Sequence, residues 1–220
     1  MKRFLKKVNR GLLLGGALLL ALIVFIVIKE VQFRVELPKI RESVKDSVQA
    51  MLDINLAPEG AKLGEEWSDT QKETMKKRLE DVLVAHWDAD GESNFYYTAA
   101  EVRAAYDEYL GWNCGVIFEE ISLELSDNDI LISQNGTDYA KVSVEIDAMS
   151  ATWRGNEAFL FYGEGVYVES PISPVSATYR GRFEGWLEME LHRVGGEWRV
   201  VGTSGYFSSV HKSVVTGGAN

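Results

Sequence analysis

The sequence predicts an α+β fold: an N-terminal transmembrane helix, then two or three helices packed on a curved antiparallel sheet. An unbroken apolar run occupies residues 11–28 of the 220-residue chain. Beyond it, apolar residues recur at helical spacing as far as about residue 110. From residue 115 they alternate with polar residues at a period of two, which is typical of strands.

The apolar run has the length and flanking charges of a membrane anchor. As a helix, residues 11–28 would be roughly 27 Å long, close to the hydrocarbon thickness of a bilayer. Five basic residues and no acidic residue precede the run, which predicts residues 1–10 in the cytoplasm and the C-terminal domain outside, in the periplasm or the extracellular space. A cleaved signal peptide is the alternative, but no small-x-small cleavage pattern follows the run. Gly11 and Gly15 form a small-xxx-small pair through which two anchors would pack.

The charge and the cysteine content exclude several classes of protein. The chain has a formal net charge of −10, with 23 basic and 33 acidic residues. Five of the basic residues lie in the first ten positions, so the remainder carries a net charge of −15 and is a poor partner for nucleic acid. The single cysteine, Cys114, excludes an internal disulfide and is expected to be a small buried apolar residue.

Residues 29–64 are predicted to form a juxtamembrane helix and a linker. Apolar residues recur at helical spacing over 38–54, and Pro38 suits the first turn of a helix. The apolar stripe of this helix must be buried against the sheet domain, a second copy or a partner. The sequence alone leaves these three alternatives open.

The α+β domain is predicted to span residues 65–208, with a flexible tail over 209–220. Capping boxes that begin at Ser68 and Thr98 predict the starts of two helices. In the strand-rich part, residues 158–168 are apolar on both faces, which is typical of a central strand.

The last predicted strand carries a motif, Gly195-Gly196-Glu197-Trp198-Arg199-Val200-Val201. With this strand, the domain resembles the nuclear transport factor two-like (cystatin-like) superfamily, many of whose members close on a Gly-x-Trp-x-Val strand. A short tail, one anchor and this fold outside the membrane also resemble the inner-membrane assembly subunits of type IV secretion and conjugation systems. In enzymes, the superfamily resemblance implies an acid or a histidine as general base in a pocket between the helices and the sheet.

The sequence contains one acidic loop but no complete metal site. Asp88-Ala89-Asp90-Gly91-Glu92-Ser93 begins like a calcium loop, yet Ala99 stands where the bidentate glutamate is needed. The histidines His86, His192 and His211 do not pair into a zinc site. No nucleophile elbow or phosphate loop is present. We therefore expect no metal, no cofactor and no enzymatic activity.

One predicted sheet face combines acidic residues with an exposed tryptophan. Seven carboxylates fall on the outward side of the strands: Glu120, Glu124, Glu145, Asp147, Glu184, Glu188 and Glu190. Trp186 lies in the same register between Glu184 and Glu188, and Trp153 is predicted nearby. An exposed tryptophan among charges is typical of a protein-binding hot spot, so Trp186, Glu184, Glu188 and Trp153 are the candidate binding residues. A solvated sheet face is the alternative.

These patterns indicate two functions of different classes. The first is a membrane-anchored scaffold or assembly subunit of a bacterial-type envelope complex, which binds other envelope or membrane proteins or a second copy. The second is a pocket protein of the same fold that binds or transforms a small apolar ligand. A filled interior favours the first function, and a pocket with converging polar groups favours the second.

Overall fold

The helices and strands follow the predicted α+β order. A computed structural model describes residues 10–63, 65–93, 96–112, 116–155, 158–162, 164–168 and 177–215, so Cys114 lies outside the described residues. The described helices are α1 (Arg10–Asp53), α2 (Asp69–His86) and α3 (Ala99–Trp112). The described strands are β1 (Tyr97–Thr98), β2 (Val116–Ser122), β3 (Ile130–Asn135), β4 (Tyr139–Gly155), β5 (Ala158–Tyr162), β6 (Glu164–Val168), β7 (Thr178–Val194) and β8 (Glu197–Val215).

Six of these strands form one antiparallel sheet. Its order is β1-β8-β7-β4-β2, and β3 pairs with β4 beyond the end of β2. The long strands β4, β7 and β8 therefore form its centre. Strand β8 continues to Val215, because its last residues pair with the start of β7. The prediction of a flexible tail is therefore wrong over residues 209–215, while residues 216–220 lie outside the described part of the chain.

Strands β5 and β6 form a separate two-stranded hairpin. The prediction of one central strand over residues 158–168 is therefore wrong. The segment is apolar on both faces because different elements cover it. Phe161 packs against Tyr106 of α3 with ring centroids 4.9 Å apart, and Tyr162 packs against Phe207 of β8 at 5.7 Å.

The chain consists of two compact units, Met1–Lys39 and Ile40–Asn220. In the first unit, helix α1 is long and apolar enough from Leu13 onward to cross a membrane. The predicted start of a separate helix at Pro38 is wrong, since the residues before it are already helical. Ion pairs within the helix, such as Arg34 with Glu30 at 3.0 Å, support this stretch.

In the second unit, the remainder of α1 contributes an apolar stripe to the core. All its members are buried: Ile40, Val44, Val48, Met51 and Leu52. They belong to one cluster with the inward side chains of the sheet and of the other helices. Of the three alternatives left open by the sequence, burial within the same domain is therefore the one observed.

A buried asparagine fastens the end of α1 to the β5–β6 hairpin. The Asn55 amide nitrogen donates to the carbonyl oxygen of Phe161 (2.9 Å), and the Asn55 amide oxygen accepts from the backbone N–H of Phe161 (2.6 Å). The same amide nitrogen donates to the carbonyl oxygen of Leu52 at the end of the helix (3.0 Å). Asn55 thus replaces the backbone partners that the helix end and the strand each lack.

The residues on either side of Asn55 hold the other two helices. The Tyr106 hydroxyl of α3 donates to the carbonyl oxygen of Ile54 (3.1 Å), and the Arg78 guanidinium of α2 donates to that of Leu56 (2.6 Å). The residue after Leu56 donates a backbone hydrogen bond to β2 (3.2 Å). The segment 54–57 therefore joins four elements to the end of α1.

A β-bulge changes the side-chain phase in the middle of β4. The register with β7 shifts between Ile146 and Met149, and Asp147 and Ala148 are both exposed. Arg182 of β7 donates from Nε (3.0 Å) and Nη2 (2.6 Å) to the carbonyl oxygen of Asp147. Even-numbered residues point inward before the bulge and odd-numbered residues point inward after it, because one extra residue inverts the faces.

We expect Asn55→Ala to lower the free energy of unfolding by about 2–4 kcal/mol, because it leaves two backbone groups of Phe161 buried and unpaired. The measurement is chemical denaturation of the detergent-solubilised chain, followed by tryptophan fluorescence. Asn128→Ala is the matched control, since Asn128 is exposed and its loss should change stability by less than about 0.5 kcal/mol. Equal stability of the two variants would show that the Asn55 amide does not hold the hairpin.

A candidate protein-binding face on the sheet

Trp186 lies near the middle of β7 on the outward face of the sheet, and it is 45% exposed. In the sheet register it stands opposite Glu145 of β4 on one side and Tyr206 of β8 on the other. Tyr206 is 61% exposed, and Glu145 is exposed as well. Directly opposed residues on adjacent strands have Cβ atoms about 4.5–5.5 Å apart. We call Glu145, Trp186 and Tyr206 the aromatic row.

Further carboxylates adjoin the aromatic row. Glu184 and Glu188 lie two positions before and after Trp186 and so project from the same face, and Asp147 is exposed in the bulge of β4. One oxygen of Glu184 lies 3.1 Å from the guanidinium of Arg182. An exposed pair of this kind is weak, so the face keeps an acidic character. The outward orientation predicted for Trp186 and Glu188 agrees with their exposure.

Tyr206 was missed by the reasoning from the sequence. Its signal is the stretch Ser204-Gly205-Tyr206-Phe207-Ser208, in which Tyr206 shares its phase with two serines and Phe207 has the opposite phase. In the structure Phe207 is buried and the serines lie beside the aromatic row. A large side chain at a position where its neighbours are small and polar indicates exposure rather than core.

Two glycines lie beneath the aromatic row, on the inward side of the same strands. A Cβ at Gly185 would overlap the carbonyl oxygen of Tyr206, and a Cβ at Gly205 would lie 2.7 Å from the carbonyl oxygen of Trp186. These positions therefore exclude any side chain. The missing side chains let β7 and β8 approach closely where they carry the two exposed aromatic residues.

Part of the acidic loop after α2 folds over the outward face at Gly202 of β8. A Cβ at Gly202 would lie 2.7 Å from the Cβ of Tyr96, so the glycine makes room for the loop. Ser93 donates to Glu190 (2.9 Å), and the Tyr96 hydroxyl donates to Glu188 (3.2 Å). Burial raises the pKa of Tyr96, and the nearby Glu188 carboxylate raises it further. Ser93 and Tyr96 thus engage two of the predicted carboxylates, while Trp186 and Tyr206 stay exposed.

Trp153 is a core residue, and its predicted place on the outward face is wrong. It is 0% exposed. Its ring packs against Phe118, Tyr179 and Phe183, with centroids 5.8–6.1 Å apart. The physical reason is the bulge in β4, which inverts the faces between the aromatic row and Trp153.

The other titratable side chains considered in the sequence are dispersed over the described part of the chain or buried in its core. No group of three or more His, Cys, Asp or Glu side chains in the described part of the chain is placed to hold a metal ion. Burial raises the pKa of both Tyr106 and Tyr109, and they pack on each other in the core with centroids 5.5 Å apart. Burial also lowers the pKa of His86; Asp46 opposes this effect and Arg199 adds to it.

An open groove of about 400 Å³ lies between α1 and the segment that follows β2. Its lining residues are Lys45, Asp46, Gln49, Leu123, Glu124 and Leu125. Lys45 is already paired with Asp127 (2.7 Å) at the surface. The groove is open to solvent, and its acidic lining residues Asp46 and Glu124 are exposed.

The predicted helix-packing pair, Gly11 and Gly15, lies on the exposed surface of α1. A Cβ at Gly15 would meet no atom within 4 Å, so this face of the helix is open. Association of two anchors through the pair stays a prediction.

Comparisons with known proteins do not place the chain in a family. No family model matches the sequence, and no curated protein matches it. The functional inference therefore rests on the sheet face and on the apolar part of α1.

The two tryptophans predicted to lie together should respond in opposite ways to truncation. Trp153→Ala should lower the free energy of unfolding by about 3–5 kcal/mol, because it leaves a large cavity in the core. Trp186→Ala should change it by less than about 0.5 kcal/mol, because the side chain lies on the outward face and its removal leaves no cavity in the core. Denaturation of the two variants side by side tests this, and a strongly destabilised Trp186→Ala would mean that the faces are inverted.

Proposed function

We propose that the protein is a non-enzymatic, single-pass, membrane-anchored scaffold or assembly subunit of an envelope complex. Its second unit binds a protein partner through the aromatic row. The observation that carries the proposal is the pair Trp186 and Tyr206, which stand exposed side by side on the adjacent strands β7 and β8, while Trp153 is buried in the core. Tryptophan and tyrosine are enriched at the centres of protein interfaces.

The charge around the aromatic row supports a basic partner. Beyond the first ten residues the chain has a net charge of −15, and carboxylates adjoin Trp186 along β4 and β7. Such a field attracts cationic surfaces and repels nucleic acid and anionic lipid. It also disfavours a second copy on this face, since the same carboxylates would then face each other.

The apolar part of α1 supports anchoring in a membrane. Its length and composition suit a single crossing, and the five basic residues before it favour an N-terminus in the cytoplasm. The second unit then lies outside. The α+β order and the closing strand with Trp198 support the resemblance to nuclear transport factor two-like domains, on which the proposed likeness to type IV secretion assembly subunits rests.

The pocket-protein alternative has less support. Aromatic rings fill much of the described interior, including Tyr106, Tyr109, Trp153, Phe161 and Phe183. The tyrosine hydroxyl at position 106 is used to hold the end of α1. A catalytic or ligand-binding pocket instead needs polar groups that converge on open space.

The central test is the capture of partners by the full-length protein from native membranes. Trp186→Ala should weaken capture by about 2 kcal/mol, roughly a thirty-fold loss of affinity, because it removes the centre of the interface. Val84→Ala is the matched control, since Val84 is a 64% exposed apolar residue on α2, away from the sheet face. The proposal is supported if Trp186→Ala loses partner capture and Val84→Ala keeps it. Unchanged capture by a folded Trp186→Ala protein contradicts the proposal.

The acidic surround should act mainly on the rate of association. Replacement of Glu184 and Glu188 by lysine should slow association with the captured partner and reduce its dependence on salt, because long-range attraction is lost. Surface plasmon resonance at two ionic strengths measures both effects. An unchanged salt dependence would mean that the carboxylates do not steer the partner.

The topology is tested with reporter fusions to the C-terminus. A reporter that is active only outside the cytoplasm should be active, because the five basic residues before the apolar run retain the N-terminus inside. A cytoplasm-specific reporter at the same place is the control and should be inactive. The reverse pattern from stable fusions would invert the proposed orientation.

A further inference from the structure

The outward face already contains one complete site in which a cation lies against an aromatic ring and carboxylates. The Lys141 ammonium lies 5.8 Å from the centre of the Tyr96 ring. The hydroxyl of that ring donates to Glu188, and Lys141 stands opposite Glu190 in the sheet register. Here the cation, the ring and the carboxylates all come from the protein itself.

The aromatic row repeats this arrangement without the cation. It offers a carboxylate, Glu145, directly opposite the exposed ring of Trp186, and Tyr206 stands on the other side of that ring. Among the described residues, the ion pairs of this face involve Glu184 and Glu190. No described lysine or arginine lies over either ring of the row or against Glu145. A cation supplied by a partner would therefore complete the arrangement seen around Tyr96.

Building on the proposed function, we propose that the aromatic row binds an arginine side chain of the partner protein. The guanidinium stacks on the exposed ring of Trp186, the middle member of the row, and its N–H groups donate to the Glu145 carboxylate beside that ring. Arginine fits better than lysine because its planar, weakly hydrated head can stack on a ring and bind a carboxylate with two donors at once. Tryptophan is the aromatic side chain that attracts a cation most strongly.

The surroundings of the aromatic row disfavour the other occupants. A second copy would bring Glu184 and Glu188 against their own counterparts, and an anionic headgroup would meet the same carboxylates. Ser204 and Ser208 flank Tyr206 on β8 and leave space beside the rings. An arginine on an exposed segment of a basic partner would pair with the Glu145 carboxylate and could reach this open, shallow surface.

The test uses the full chain in nanodiscs of neutral lipid and observes the indole N–H resonances of its six tryptophans by NMR. Three probes, Gly-Ser-Arg-Ser-Gly, its lysine version and its citrulline version, are titrated to millimolar concentration. The Trp186 resonance, identified with Trp186→Phe, should shift most with the arginine peptide. The lysine peptide should bind at least about threefold more weakly, and the uncharged citrulline peptide weaker still.

Glu145→Gln should weaken binding of the arginine peptide by about threefold or more. Glu108→Gln removes the same charge from the exposed face of α3 and should change the affinity by less than about twofold. Equal binding of the lysine peptide, no effect of Glu145→Gln, or no shift of the Trp186 resonance would each overturn the arginine site. If partner capture still depends on Trp186 in that case, the proposed function stands alone. If capture is independent of Trp186, the proposed function has failed.

Discussion

The buried amide of Asn55 is the interaction on which the architecture of the second unit depends. It satisfies backbone groups on a helix end and on a strand at once, in a place that water does not reach. The adjacent residues accept hydrogen bonds from α2 and α3 and donate one to β2. A helix end normally leaves several carbonyl groups without partners. Here that deficit is used to connect elements that are distant in the sequence.

This connection determines which surfaces of the sheet are free. The helices and the β5–β6 hairpin are tied to one short segment, and the inward side chains of β4, β7 and β8 are buried with them in a single cluster. The polar side chains of the alternating pattern then have only solvent to face. Trp186 and Tyr206 occupy outward positions, like the polar side chains, although they are large aromatic residues like those of the core. That mismatch between position and chemistry is what distinguishes these two residues from the rest of the outward face.

The local parts of the fold could be predicted, and the long-range parts could not. The helix start at Ser68 follows from a capping box, and both of its hydrogen bonds with Gln71 are present. The outward position of Trp186 follows from alternation in an uninterrupted strand. Trp153 was misplaced because a bulge carries no reliable sequence signal, yet it inverts every side chain beyond it. Asn55 looked like an ordinary loop residue, since its partner is 106 positions away.

The glycines beneath the aromatic row have a consequence for how this protein can evolve. Gly185 and Gly205 cannot change without separating β7 from β8, whereas the outward residues can be exchanged at little cost to the fold. The frame and the recognition surface are therefore under separate constraints, although they alternate along the same strands. Drift at the outward positions would change which partner is bound while the strand pairing stays the same. Related chains should accordingly keep the two glycines more strictly than the tryptophan.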